Sequence, residues 1–129
     1  MGKNKYTLYE QLNIAVSGRI LWGYIMNRSE KYASGGKVSR FTLEKYKNNS
    51  YKKLKDVFPA KLQHNCAACT VYIREENCYK RCKLSRECHL YLDNKDSKNY
   101  AVINFVAKAM CEAHSNWILD IVDLMAKKL

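Results

Sequence analysis

Apolar residues recur along the first third of the chain at helical spacing. Leu8, Leu12, Ala15 or Val16, Trp22 and Met26 fall on one side of a helix with polar residues between them. The run opens on Thr7-Leu8-Tyr9-Glu10, in which the Thr7 hydroxyl and the Glu10 carboxylate can each satisfy a backbone amide left open at a helix start. Gly35-Gly36 supplies a stop where a left-handed residue is needed. A first helix is therefore expected over residues 6–34, with Gly18 and Gly23 either weakening its interior or letting another helix come close. A second, lysine-rich helix is expected over 40–58, because Leu43, Tyr46, Leu54, Val57 and Phe58 gather on one side. Asn48-Asn49-Ser50 is its weak point, and Pro59 ends it by forcing the preceding residue out of helical geometry.

The clearest pattern follows the turn-and-cap cluster Asp93-Asn94-Lys95-Asp96-Ser97. Val102, Val106, Ala109, Ala113, Trp117, Ile121 and Leu124 keep a spacing of three or four, and Ile103, Met110, Ile118, Val122 and Met125 form a second apolar row beside them. A long helix over 97–127 with a broad buried stripe belongs at the centre of a fold. Trp22 and Trp117 are expected to anchor the first and last helices to one another. The fold class expected is mainly α: one domain over 1–129, with three to four helices and a cysteine segment, 64–92, inserted before the last helix.

Composition agrees with a packed helical chain, since 47% of its residues are hydrophobic and proline occurs once. No unbroken apolar run approaches the length needed to cross a bilayer, and no apolar stretch follows the basic residues near the start. Neither export nor membrane insertion is expected. The compartment expected is the cytoplasm, where thiols stay reduced and clustered cysteines are better explained by a metal than by disulfides.

Five of the six cysteines lie in a short span, as Cys66-x2-Cys69-x8-Cys78-x3-Cys82-x5-Cys88, with His64 and His89 at its flanks. Two cysteines separated by two residues can turn both sulfurs toward one ion, and a second pair across a loop completes the tetrahedral thiolate shell that zinc favours. One structural zinc ion is expected. Cys66 and Cys69 form the first pair, and Cys82 pairs with either Cys78 or Cys88, unless a histidine replaces a thiolate. A shell filled by thiolates leaves no open position for a reacting water, so no enzyme is expected and no catalytic residue is assigned. Glu75 and Glu76 read as solvated surface. Cys111 and His114, three apart on the last helix, read as buried core groups.

The formal charge of +11 is concentrated in the middle of the chain, where residues 37–64 carry eight basic and two acidic groups. Arg40, Lys45, Lys47, Lys52, Lys53, Lys55 and Lys61 surround Tyr46 and Tyr51. Lysines that grip phosphates beside rings that stack on bases hold single strands with little sequence preference. The first six of these cations are the expected partner contact, with nucleic acid or an acidic protein face as the partner.

The stretch Cys66-Ala-Ala-Cys69-Thr-Val-Tyr72, followed by Cys78-Tyr-Lys-Arg-Cys82-Lys-Leu84 and Cys88, resembles a cysteine motif of small phage-encoded proteins. In that motif an early Cys-x-x-Cys and an aromatic precede a Cys-x-x-Cys-Pro-Leu and a final cysteine. This chain differs in having three residues between Cys78 and Cys82, and Lys83 in place of the proline. The resemblance implies a phage protein acting in the host bacterial cytoplasm, similar to zinc-containing anti-CRISPR proteins. Such a protein would bind a type II CRISPR effector nuclease or its guide-RNA complex and block loading of target DNA. A chain this basic cannot act as an acidic mimic of DNA.

Overall fold

A computed structural model describes residues 6–62, 66–72 and 82–129. Five helices follow one another among the described residues: α1 (Leu8–Ala33), α2 (Leu43–Leu54), α3 (Ala67–Tyr72), α4 (Ser85–Asn94) and α5 (Tyr100–Lys127). The fold is mainly helical, and the three long helices stand where the apolar spacing puts them. The cysteine segment is more structured than an inserted loop, because α3 and the start of α4 lie within it. No helix among the described residues is long and apolar enough to cross a membrane.

Each long helix begins on a side-chain oxygen. At α1 the capping box is complete, with the Thr7 amide donating to Glu10 Oε1 at 2.8 Å and the Glu10 amide donating to Thr7 Oγ1 at 3.1 Å. The Lys45 amide donates to Thr42 Oγ1 at α2, and the Ala101 amide to Asn99 Oδ1 at α5. Such a cap stabilises a helix by about 1 kcal/mol. Gly36, at φ +63°, makes the left-handed turn after α1 that a side chain would resist.

Two boundaries differ from expectation. Asn48-Asn49-Ser50 does not interrupt α2, because the Ser50 hydroxyl bonds back to the Tyr46 carbonyl at 2.8 Å and its polarity is satisfied within the helix. The helix stops at Leu54, four residues short of Phe58, where the Val57 amide closes a turn on the Leu54 carbonyl. That turn leaves Val57 exposed and carries Phe58 inward beside Tyr51, where it touches both halves of the core.

Helices α1 and α5 run antiparallel and form the frame. Near one end the Asn104 amide nitrogen donates to the Met26 carbonyl, Ser29 Oγ and Glu30 Oε2, and farther along Arg19 Nε donates to Ser115 Oγ at 3.1 Å. Around one half of this pair Leu21, Trp22, Ile25, Leu43, Ile103, Val106 and Met110 are buried together. Around the other half Ile14, Ala15, Leu62, Ala67, Val71, Leu84, Trp117 and Ile121 pack. Each tryptophan anchors one half, and a fully buried side chain of this kind is worth about 1.5–3 kcal/mol. The stripe on α5 narrows toward its end to Trp117, Ile118, Ile121 and Met125, and Val122 and Leu124, expected in the core, turn outward at 44% and 48% exposure.

The link between α1 and α2 is tied to the start of α5. Val38 and Asn99 form an isolated antiparallel bridge, flanked by hydrogen bonds from the Ser39 amide to the Lys98 carbonyl and from the Tyr100 amide to the Lys37 carbonyl. Open amides at the start of α2 are met in the same way, Leu43 donating to the Ser97 carbonyl and Glu44 to the Lys95 carbonyl. These ties bring Arg40 and Phe41 beside α5.

Candidate functional site

The expected metal ligands divide by location. Cys78 and His64 lie outside the described residues, as do Glu75 and Glu76. Cys66 stands just before α3, and its sulfur accepts the Cys69 amide at 3.2 Å, the bond that a hydroxyl would accept at an ordinary helix start. Cys82, three residues before α4, accepts the amide of the cap residue Leu84 at 3.4 Å, and α4 itself has no side-chain cap. The Cys69 thiol beside it lowers the Cys66 pKa to about 6, against the opposing effect of burial. The amides of Cys69 and Ala68 and the charge of Lys47 act in the same direction. Cys66 is thus a thiolate near neutral pH, which is the form that binds metal.

The other cysteines of the segment sit around two phenols. Burial, with the charges of Cys82 and Asp120, pushes Tyr72 up to about 12. Burial also raises Tyr91, with Glu44 next and the charges of Cys66 and Cys88 both contributing. The charges of Cys66, just before α3, and of Cys88, on α4, thus both act on Tyr91. His89 is exposed on α4. Among the described residues, no three Cys, His, Asp or Glu side chains gather closely enough to hold an ion. The pair that does come together is Cys66 with Cys69, and its chemistry, a low-pKa thiolate receiving backbone N–H bonds, suits zinc.

Cys111 and His114 belong to the core. Burial raises the Cys111 pKa and leaves an inert thiol among Trp22, Ile25 and Val106. His114 is 2% exposed, and its Nδ1 lies 2.7 Å from the Met110 carbonyl, which can only accept, so Nδ1 carries the proton. Burial pulls the imidazole pKa down to about 4; the Met110 carbonyl opposes this, while the charges of Arg19 and Lys47 assist it. Its ring edge lies against Gly18. A Cβ at Gly18 would stand 2.5 Å from His114 Nε2 and 2.7 Å from Ala67 Cβ, so glycine here lets α1, α3 and α5 meet.

The expected basic contact is divided by the fold. Arg40 and Lys53 line a half-open cleft of about 470 Å3 between α1, α2 and the start of α5. Lys45 and Lys52 are exposed on α2 outside it, and Lys55 and Lys61 are exposed beyond the helix. Lys47 reaches the other way, its ammonium 4.7 Å from the centre of the Tyr91 ring and close enough to act on Cys66. Tyr46 lines the cleft, whereas Tyr51 turns inward and its hydroxyl donates to the Leu62 carbonyl at 3.4 Å.

The sequence reading missed what the other helices bring to this cleft. α1 supplies Tyr24, Arg28 and Tyr32, one turn apart, and α5 supplies Tyr100. The spacing of Tyr24, Arg28 and Tyr32 was a visible i, i+4, i+8 row, masked by the apolar stripe beside it. Arg28 donates to the Tyr24 hydroxyl at 3.0 Å. Burial works against ionisation of Tyr24, but its contacts with Arg28 and Lys53 outweigh this and lower its pKa. The local potential is thus positive. Among the described residues no carboxylate lines the cleft or pairs with Arg28, Arg40 or Lys53. Compared with known proteins, the chain matches no family model, no curated protein and no solved structure.

Proposed function

We propose that this is a non-catalytic protein that binds nucleic acid through the basic face of α1 and α2, with its cysteine segment stapled by one structural zinc ion. The observation that carries the reading is the cleft, where Arg28, Arg40 and Lys53 stand among aromatic rings with no neutralising carboxylate among the described residues. Uncompensated cations in a concave, partly apolar wall focus positive potential and attract polyanions. Zinc would be held by Cys66 and Cys69 with thiolates drawn from Cys78, Cys82 and Cys88, and it would fix α3 and α4 against the frame.

Fluorescence anisotropy with labelled single-stranded and double-stranded nucleic acid tests the reading. Binding should weaken steeply as salt rises, because each phosphate contact releases counterions. Absence of binding at low salt, or an affinity indifferent to salt, would sink it.

The cysteine segment favours a second reading. Cys66 and Cys69 adjoin as the phage-protein motif requires, and the likeness supports an anti-CRISPR-like inhibitor that docks on a type II effector's guide RNA or protein and prevents target DNA from loading. Cleavage of target DNA by a purified effector, with this protein in excess, separates the two readings. An inhibitor suppresses cleavage at physiological salt while leaving free nucleic acid unbound; a regulator binds the free strand and leaves cleavage intact.

A further inference from the structure

The cleft has more structure than a basic patch needs. Arg28 and Lys53 both line it, and their long side chains converge on Tyr24 from two different helices. Its rim carries two partly exposed rings, Tyr32 at 38% and Phe41 at 39%, each with a cation near it, Lys37 at 5.6 Å and Arg40 at 5.8 Å from the ring centres. Tyr32 is fixed from behind by Tyr100, their ring centroids 4.7 Å apart, and Tyr100 is in turn met edge-on by Tyr46. Phe41 is held by the bridge between the α1–α2 link and α5, and its amide donates to Ser39 Oγ at 3.1 Å. The rings are therefore positioned before any ligand arrives, which lowers the ordering cost of binding.

Asn49 adds the third kind of group. Its carboxamide stands exposed on the α2 wall and offers a donor and an acceptor side by side. The volume, about 470 Å3, lies within the ~300–1,000 Å3 typical of small-ligand sites and is far too small for a duplex. Cations, ring faces and a paired donor and acceptor correspond to the phosphate, the π-face and the hydrogen-bonding edge of one nucleotide. A duplex hides the last two inside its stack. An aryl phosphate on a peptide would use the cations and the rings but has no edge for Asn49.

We propose that this cleft binds a single unpaired nucleotide, its phosphate held by Arg28, Arg40 and Lys53 and its base laid against Tyr32 and Phe41. The proposal rests on the nucleic-acid reading and sharpens it from a charged surface to a pocket that requires an unstacked base. A strand would enter with one nucleotide in the cleft and its neighbours along Lys45, Lys52 and Lys55; a free mononucleotide would use the cleft alone.

Calorimetric titration of the 129-residue chain with adenosine monophosphate, adenosine, inorganic phosphate, phosphotyrosine and a short oligouridylate provides the test. The monophosphate should bind at least about tenfold more tightly than either adenosine or phosphate, since each of those lacks one half of the contact. Arg28→Gln and Lys53→Gln should each weaken it by about tenfold, and Lys55→Gln, outside the cleft, should leave it unchanged. Phe41→Ala should weaken the monophosphate but not inorganic phosphate.

No monophosphate binding, tighter binding of phosphotyrosine, or equal losses in Lys53→Gln and Lys55→Gln would each overturn the proposal. Should the oligouridylate still bind in those cases, the nucleic-acid reading survives without the pocket. Should it fail as well, both fall. Adenosine monophosphate bound without oligouridylate would keep the cleft and transfer its natural ligand to free nucleotides.

Discussion

The long helices and the cysteine helices begin in different ways, and the difference separates two regions of unlike stability. Thr7, Thr42 and Asn99 cap α1, α2 and α5 with oxygen, and these helices run for 26, 12 and 28 residues. The start of α3, a helix of only 6 residues, rests on the sulfur of Cys66, and α4, of 10 residues, has no side-chain cap. A neutral thiol is a poor acceptor, whereas a thiolate receiving an amide makes a charge-assisted bond. The framework region therefore holds itself through caps and core, while the cysteine region leans on the Cys66 thiolate at the start of α3. Zinc would keep that sulfur ionised.

The largest expected effect is on that dependence. A strong chelator, or Cys66→Ser, should remove about 5 kcal/mol or more, because the free energy of binding a structural metal is also folding free energy. Thermal melts give the size, and hydrogen exchange gives the place. Protection should vanish first in α3 and α4 and persist around Ile103 and Val106. Cys111→Ser should leave metal content untouched, since that thiol is buried in the other half of the core. A melt unchanged by chelation would end the contrast between the regions.

Acid is the next probe, acting where the regions meet. The His114 pKa is about 4 in the folded protein against about 6.5 when unfolded, so the unfolded chain binds the extra proton first. The contribution of a neutral buried imidazole is fully present above pH 6.5 and is lost as pH falls toward 4. The loss amounts to about 3 kcal/mol by linkage. Acid also protonates thiolates, so the informative quantity is the difference between the unmodified chain and His114→Gln, whose stability should fall less steeply over that window. Equal slopes would mean that His114 titrates normally.

Much of this arrangement was legible in the sequence, and the parts that were not have physical reasons. Thr7 and Glu10 announced α1, Gly36 its end, and the rows through Val106 and Trp117 the central helix, because caps and apolar periodicity are local signals. The end of α2 was misplaced because Phe58 has the right spacing for a helix face yet reaches the core through a turn. Cys66 and Cys69 could be paired from spacing alone. The cleft could not be seen, since Arg28 and Lys53 are distant in sequence and only the antiparallel frame, with α2 laid across it, brings them to one place. Lys47 belonged to the same lysine run but serves the cysteine side, a division set by which way each turn of α2 faces.

Two glycines five residues apart sharpen the comparison at smaller scale. Gly18→Ala would drive a methyl group into His114 and Ala67, neither of which can move without disturbing α3 or α5, and should cost about 2–3 kcal/mol. Gly23→Ala meets only the tip of Arg19, a flexible side chain. Better helix propensity, worth about 1 kcal/mol at most, should leave that variant as stable as the parent or slightly more so. Denaturant unfolding of the two variants checks both. Similar losses would show that the frame resists any added bulk, and that Gly18 has no special part in seating the cysteine region.

The smallest expected effect carries its meaning in its sign. Arg40 and Lys53 stand near Arg28 with no described carboxylate to offset them, so their mutual repulsion opposes folding. Replacing both with glutamine should raise stability by a few tenths of a kcal/mol at low ionic strength, the scale of exposed charge interactions. The gain should shrink as salt screens the charges over about 10 Å. A structural cation cluster would give the opposite result, a loss unaffected by salt. A small, salt-sensitive gain accompanied by loss of nucleotide binding would identify these charges as kept for a ligand at the expense of the fold.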